Sequence, residues 1–200
     1  TLDSVLRQTF ADVELILVDD CSKDGSGKIC DEVAASDGRV RVIHKEKNGG
    51  ASSARNLGTK SASGKYLYYM DSDDKIDSDI FEKMYSASRD ASPTVVMFGA
   101  VEEYYDKTGK LYMTNPVSYE SKALSGKENV AKEVIKIENT TLFGYLWNKI
   151  YLKDAVFSSG VTFCDMPLNE DFKFNIDFFR YVDSMVILDD TAYHLSLIHI

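Results

Sequence analysis

The stretch Asp71-Ser72-Asp73-Asp74 decides the reading of this chain. It follows the apolar and aromatic run Tyr66-Leu67-Tyr68-Tyr69-Met70, itself preceded by Ser63-Gly64-Lys65. A short run of that kind, bounded by turn residues, predicts a buried strand. Three carboxylates at its carboxyl end repel one another and call for a counter-cation. In open α/β sheets that end is also where ligands bind. An Asp-x-Asp pair there can hold a hard divalent cation, and the cation can in turn hold phosphate oxygens. The plain alternative is a solvated acidic turn, because Asp and Ser are favoured turn residues.

Upstream, Val13-Glu14-Leu15-Ile16-Leu17-Val18 is apolar on both faces, as a central parallel strand would be. Asp19 through Ser26 breaks it and supplies turn and capping groups for a helix from about Gly27 to Ala35. Val40 to His44 reads as a second strand. Asn48-Gly49-Gly50 is a turn, and Ser52 or Ser53 can cap the helix that carries Arg55 and Asn56. Strand and helix alternate at short intervals, which predicts a mainly parallel sheet with helices on both faces. Downstream, a helix is expected over 78–90, a strand from Thr94 to Ala100 and a hairpin from Val101 to Thr114. Amphipathic helices are expected over Glu128 to Ile137 and from Asn169, the latter with Phe172, Ile176 and Phe179 on one face. Ser184 to His194 reads as a last strand.

The 200 residues suit one domain, and the net charge of −9 argues against general affinity for nucleic acid. An anionic substrate then needs local cations: a metal, Arg55 or nearby lysines. The three cysteines, Cys21, Cys30 and Cys164, form no Cys-x-x-Cys pair and read as reduced thiols. No apolar run approaches the roughly 18 residues a membrane helix needs. The chain starts at Thr1 inside what reads as an amphipathic helix, so we expect a fragment that lacks its first strand.

Three acidic stations stand at strand or loop ends: Asp19-Asp20, Asp71 with Asp73, and Glu170-Asp171. In a parallel sheet the first two share an edge. An acid after one strand can bind a base or ribose, as in dinucleotide folds. A carboxylate free of metal can act as general base on a hydroxyl. Asp19-Asp20 can also be a helix-capping turn, and Asp171 an acid placed at a helix N-terminus by the macrodipole. Arg55 is a natural phosphate partner or, read alone, a surface helix arginine. His44 and His194 read as strand residues. No Cys/His cluster suggests zinc, and neither a Gly-x-Gly-x-x-Gly nor a P-loop pattern occurs.

Taken together, these pieces resemble glycosyltransferase family 2 with the GT-A fold. The matching segments are Asp3 to Phe10, Val18 to Ser26, Asn48 to Gly58, Gly64 to Asp74, Trp147-Asn148-Lys149-Ile150-Tyr151 and Asn169-Glu170-Asp171-Phe172. They cover about residues 1–182 in the family's order, and Trp147-Asn148-Lys149 is similar to the bacterial subgroup that builds surface polysaccharide. The resemblance implies a single GT-A domain over 1–194, with the donor-binding part over about 1–100 and the acceptor and catalytic part over about 101–194. Residues 195–200 do not resemble the family and have no assigned role.

The resemblance also implies roles. Asp20 would bind the nucleotide base, usually uracil, and Arg55 would lie by the base or diphosphate. Asp71 would face the ribose or metal, Asp73 would ligate Mg²⁺ or Mn²⁺, and Asp171 would be the base of an inverting transfer. The donor would be a nucleotide sugar, with UDP as carrier, and the acceptor a saccharide or a lipid-linked saccharide. The implied location is cytoplasmic, peripheral at the inner face of the cell membrane where the acceptor is lipid-linked. Cys21 stands where the family usually has Gly, so the turn is expected to need no positive φ. The alternatives are a nucleotidyltransferase, which gives Asn169-Glu170-Asp171 no role, and a non-catalytic nucleotide-sugar-binding module, which would favour loss of Asp73 or Asp171.

Overall fold

The computed structural model describes residues 1–198. The β-branched and leucine-rich run of the first half forms β1 (Leu15–Asp19), which pairs in parallel with β2 (Val40–His44). The connection is α2 (Ser26–Ser36), so the strand–helix–strand alternation expected from the sequence is present here. Next come α3 (Gly50–Ser61), β3 (Tyr66–Tyr68), the two-residue β4 (Lys75–Ile76) and α4 (Ile80–Ser88). A short α1 (Leu2–Leu6) precedes them all.

The core is a five-stranded sheet in the order β3, β9 (Lys149–Leu152), β5 (Val95–Met97), β10 (Ser184–Ile187), β8 (Lys122–Ser125). Its central strand, Val95-Val96-Met97, is fully buried. Side chains alternate across a strand, and the two faces sort accordingly. Val95, Met97, Tyr151, Met185 and Ile187 pack on one side with α5 (Lys127–Glu138), α6 (Lys153–Ser159) and α7 (Glu170–Phe179). Val96, Phe98 and Ile150 pack on the other with Ile80 and Met84 of α4 and Val5 of α1. A four-stranded sheet, β4, β11 (Tyr193–Ile198), β6 (Ala100–Tyr105), β7 (Leu111–Val117), completes the fold.

The α/β layering with helices on both faces stands. The pairing is mixed instead of mainly parallel: β1 with β2, β5 with β10 and β6 with β11 are parallel, and the remaining pairs are antiparallel. The reason is β9, whose buried run inserts antiparallel between β3 and β5. The span expected as one last strand breaks at Leu188 to Ala192 and feeds two sheets, as β10 and β11. Residues 195–198, expected as an unassigned tail, continue β11 beside β6, and the Ser196 amide donates to Asp74 at 3.1 Å. Residues 199 and 200 lie outside the described residues.

Three local expectations change. Cys21 adopts φ 63°, so its turn does use the left-handed region. Neither Ser52 nor Ser53 caps α3: Ser52 donates to the Cys164 carbonyl at 2.7 Å and Ser53 accepts from Lys45 at 2.8 Å. On α7 the buried side chains are Phe174, Asn175 and Phe178, whereas Ile176 is exposed, because Phe174 stacks on Phe163 at 4.2 Å and turns that helix edge inward.

Candidate functional site

The acidic turn Asp71 to Asp74 follows β3 and is folded back by Asp74. Asp74 is nearly fully buried, accepts the Tyr193 hydroxyl at 2.6 Å and is shifted upward, first by burial. That anchor leaves Asp71 and Asp73 at the surface of the turn. Asp71 accepts from Arg55 at 3.2 Å. Its pKa is raised, first by burial and then by the charges of Asp73 and Asp171, with Arg55 pulling the other way. Asp73 is exposed, and among the described residues its carboxylate makes no hydrogen bond or ion pair.

Arg55 sits on the second turn of α3 and joins two of the three stations. One arm of its fork reaches Asp71 and the other donates to Glu170 at 2.5 Å. Burial opposes its charge, yet the two carboxylates hold its pKa above the ordinary value. Glu170 is likewise held low by Arg55 against the opposing effect of its own burial. The Arg55 guanidinium also lies over the Phe163 ring at 5.8 Å. Glu170 opens α7, so the pair clamps that helix end, with the adjacent Asp171, against the acidic turn. Asp171 is half-buried and accepts the Phe172 amide at 2.7 Å.

The first station is built differently. Asp20 Oδ1 accepts from Lys45 and, at 3.0 Å, from the Gly49 amide; Oδ2 accepts from the Gly49 and Gly50 amides at 3.1 and 2.7 Å. A carboxylate offers about four acceptor positions, and three donors engage them, the Gly49 amide shared between both oxygens. The Lys45 bond is the first cause of the lowered Asp20 pKa. Asp20 therefore closes the N-terminus of α3, which begins about 8 Å along the helix axis from Arg55. Its neighbour Asp19 accepts from Ser22 and from His44 and is lowered to about 2.

Sequence reasoning named Asp20, Arg55, Asp71, Asp73 and Asp171. The structure brings Arg55, Asp71 and the helix end bearing Asp171 together, with Asp73 on the same turn. It draws Asp20 into a separate clasp. Glu170 was named with Asp171 as the third acidic station, but not as the partner of Arg55. Missed were Lys45, which holds Asp20, and Tyr193, which holds Asp74; they lie 25 and 119 residues from their partners.

The layered α/β fold, with carboxylates at the end of β3 and the start of α7 joined through Arg55 and a separate acidic pair at the end of β1, is the GT-A glycosyltransferase fold. The chain belongs to glycosyltransferase family 2: the family model described as Glycosyl transferase family 2 matches residues 1–156. It is 33% identical over 193 residues to the uncharacterized glycosyltransferase EpsJ of Bacillus subtilis, covering 96% of this chain and 55% of EpsJ. It is 29% identical over 199 residues to the poly(ribitol-phosphate) beta-N-acetylglucosaminyltransferase TarP of Staphylococcus aureus, covering 98% of this chain and 57% of TarP. The crystal structure of S. aureus TarS 1-349 in complex with UDP-GlcNAc superposes with a TM-score of 0.76 at 21% identity, over 98% of this chain and 53% of that one. The chain thus spans about half the length of the relatives it matches. No helix of the described residues is long and apolar enough to cross a membrane.

Proposed function

We propose that this chain forms the donor-binding and catalytic part of an inverting, metal-assisted glycosyltransferase. It moves a sugar from a UDP-sugar to a hydroxyl of a saccharide or lipid-linked acceptor in surface-polysaccharide synthesis. The observation that carries the reading is the Arg55 fork, which binds Asp71 with one arm and Glu170 with the other. It holds the proposed base, Asp171, at the edge of the proposed diphosphate site. The UDP and UDP-GlcNAc complexes of TarS support a UDP-linked donor.

The residues fit a divalent cation. Among the described residues Asp73 makes no hydrogen bond or ion pair, and Asp71, raised first by burial and further by the charges of Asp73 and Asp171, is relieved by positive charge. Among the described residues no group of three candidate ligands occurs. A Mg²⁺-type ion suits that arrangement, because it takes one or two carboxylates and completes its shell with substrate phosphates and water. When bound, the cation offsets charge on the departing diphosphate. The rest falls to the chain. Arg55 offers the diphosphate a fixed positive fork. Asp171 takes the proton of the acceptor hydroxyl as that oxygen attacks the anomeric carbon from the face opposite the diphosphate. Glu170, neutralised by Arg55, leaves Asp171 as the base. Base recognition by Asp20 requires that Lys45 or an α3 amide release one of its acceptor positions.

The test is calorimetry of the full-length protein with UDP. Affinity is expected to rise when Mn²⁺ is present, and Asp73→Ala is expected to remove that gain. Equal affinity in chelator contradicts the metal assignment.

A further inference from the structure

Lys149, the first residue of β9, is fully buried, and the chemistry proposed above does not use it. A buried ammonium is costly unless every donor is matched. Here all three are: Nζ donates to the carbonyls of Leu142 at 2.9 Å and Tyr145 at 2.7 Å and to Asn148 Oδ1 at 2.7 Å. These acceptors are neutral, and no carboxylate touches the ammonium. Burial pushes its pKa well down, while the charges of Asp171 and Glu138 pull it back up. For stability alone, an apolar side chain of similar volume is often as good or better. What the lysine secures is the shape of loop 142–148.

That loop touches both halves of the site. On one side Asn175 donates to the carbonyls of Phe143, Gly144 and Tyr145 at 3.2, 2.8 and 3.1 Å. Asn175 lies four residues after Asp171 on α7, hence on the same helix face. A Cβ on Gly144 would stand 2.9 Å from the ring of Phe172, the neighbour of Asp171. On the other side Tyr145 stacks on Trp147 at 4.6 Å, Trp147 stacks on Tyr193 at 4.2 Å, and Tyr193 holds Asp74 at 2.6 Å. The loop thus links the helix end bearing Asp171 to the turn bearing Asp73 through a continuous series of contacts.

Resting on the reading of the site given above, we propose that Lys149 is a positioning residue for sugar transfer: its buried ammonium fixes loop 142–148, which sets the separation between α7 and the Asp71–Asp74 turn. Without it the Leu142 and Tyr145 carbonyls lose their shared partner, and the Arg55 fork alone is left to hold the two carboxylate-bearing segments in register. A misplacement of about 1 Å at a reacting centre costs about 10²-fold in rate.

The test uses the full-length protein with Lys149→Met, which replaces the four-carbon stem with one of equal length and removes the ammonium with its charge and donors. Backbone hydrogen exchange is expected to quicken in residues 71–76 and in residues 169–175, while β5 and β10 keep their protection. With a UDP-sugar, kcat is expected to fall about 10²-fold while the donor KM stays within about twofold. In Lys149→Ala, added propylammonium is expected to recover about tenfold of the lost kcat by refilling the site. Unchanged exchange in either segment, or quickened exchange with unchanged kcat, overturns the proposal. If Lys149→Met does not fold, Asn148→Asp decides, since it keeps an acceptor for the lysine and removes only the Asn148 amide donor to the Leu142 carbonyl: exchange in both segments is expected to stay near the parent's, and quickened exchange in both would show that Asn148, and not the lysine, holds the loop and overturns the role. Failure of the transferase reading itself shows separately, as no sugar transfer by the parent protein with any UDP-sugar, and leaves the exchange readout to judge Lys149.

Discussion

Arg55 reaches Glu170, 115 positions along the chain, as well as Asp71, so its substitution separates electrostatics from packing. In Arg55→Met, Asp71 and Glu170 lose their shared cation and Phe163 loses the guanidinium over its ring, while the aliphatic stem is kept. We expect a loss of about 1–2 kcal/mol in denaturant unfolding, less than for a fully buried pair, because the partners keep solvent contact. Combining it with Glu170→Gln is expected to cost less than the two single losses added. Additive losses would mean that the two groups do not act as a unit. Cys21 tests a different term. A side chain in the left-handed region costs about 1–2 kcal/mol, and glycine removes that cost while adding about 0.5–1 kcal/mol of chain entropy. Cys21→Gly, despite losing the thiol contact to the Glu46 carbonyl, is expected to be neutral or to raise the unfolding midpoint slightly; a clear loss would contradict the strain argument. The sequence could not reveal this φ, because Cys at a turn argues for an ordinary conformation. Nor could it pair Lys45 with Asp20 or Glu170 with Arg55, since side-chain partners across a fold leave no periodic trace.

At the scale of elements, His44 ties β2 to β1 and α2. Its Nδ1 lies 2.9 Å from Asp19 and its Nε2 2.8 Å from Asp31, so the imidazolium is held between two carboxylates. The Asp19 bond, then the Asp31 bond, raise its pKa. A histidine raised in the folded state contributes stability that is complete below its unfolded value of about 6.5 and is lost as pH rises through the folded value. Thermal unfolding should therefore place His44→Gln well below the parent at about pH 6 and level with it at high pH. A gap that widens with rising pH would contradict this sign. Gly99 marks the passage from β5 to β6, where a Cβ would collide with the Val117 carbonyl and stand 2.9 Å from Ser118 Cα and 3.0 Å from the Asp190 carbonyl. These are backbone atoms that cannot swing aside, so Gly99→Ala is expected to cost about 1–3 kcal/mol in denaturant unfolding. An unchanged midpoint would mean the junction has room. Elements with a clean period were readable: β2 matches the alternation of Val40 to His44, and the β6–β7 hairpin matches its turn at Lys107 to Lys110. β9 was hidden, because a fully buried strand and a buried helix segment share one apolar pattern. β4 was too short to show any period.

For the whole molecule, β1 and β3 each have a strand partner on one edge only among the described residues. Glu14, just before β1, accepts from the Ser63 and Gly64 amides at 2.5 and 2.7 Å and so clasps the starts of both strands. An apolar strand with an unpaired edge is a template for association. We expect this 200-residue chain, expressed alone, to self-associate with rising concentration, and Ile16→Lys to reduce that; a monomer in light scattering at all concentrations would contradict us. The central claim concerns the start of α7, where Arg55 holds Glu170 and leaves Asp171 beside the acidic turn. It is tested most directly by steady-state transfer from a UDP-sugar with the full-length protein carrying Asp171→Asn, with Glu170→Gln alongside. Loss of a general base costs about 10²–10⁴-fold in rate, so the account predicts a fall of that order in kcat for Asp171→Asn, with UDP and Mn²⁺ affinity almost unchanged and a smaller loss in Glu170→Gln. Near-normal turnover in Asp171→Asn with collapse in Glu170→Gln, or loss of donor affinity in Asp171→Asn, would contradict it.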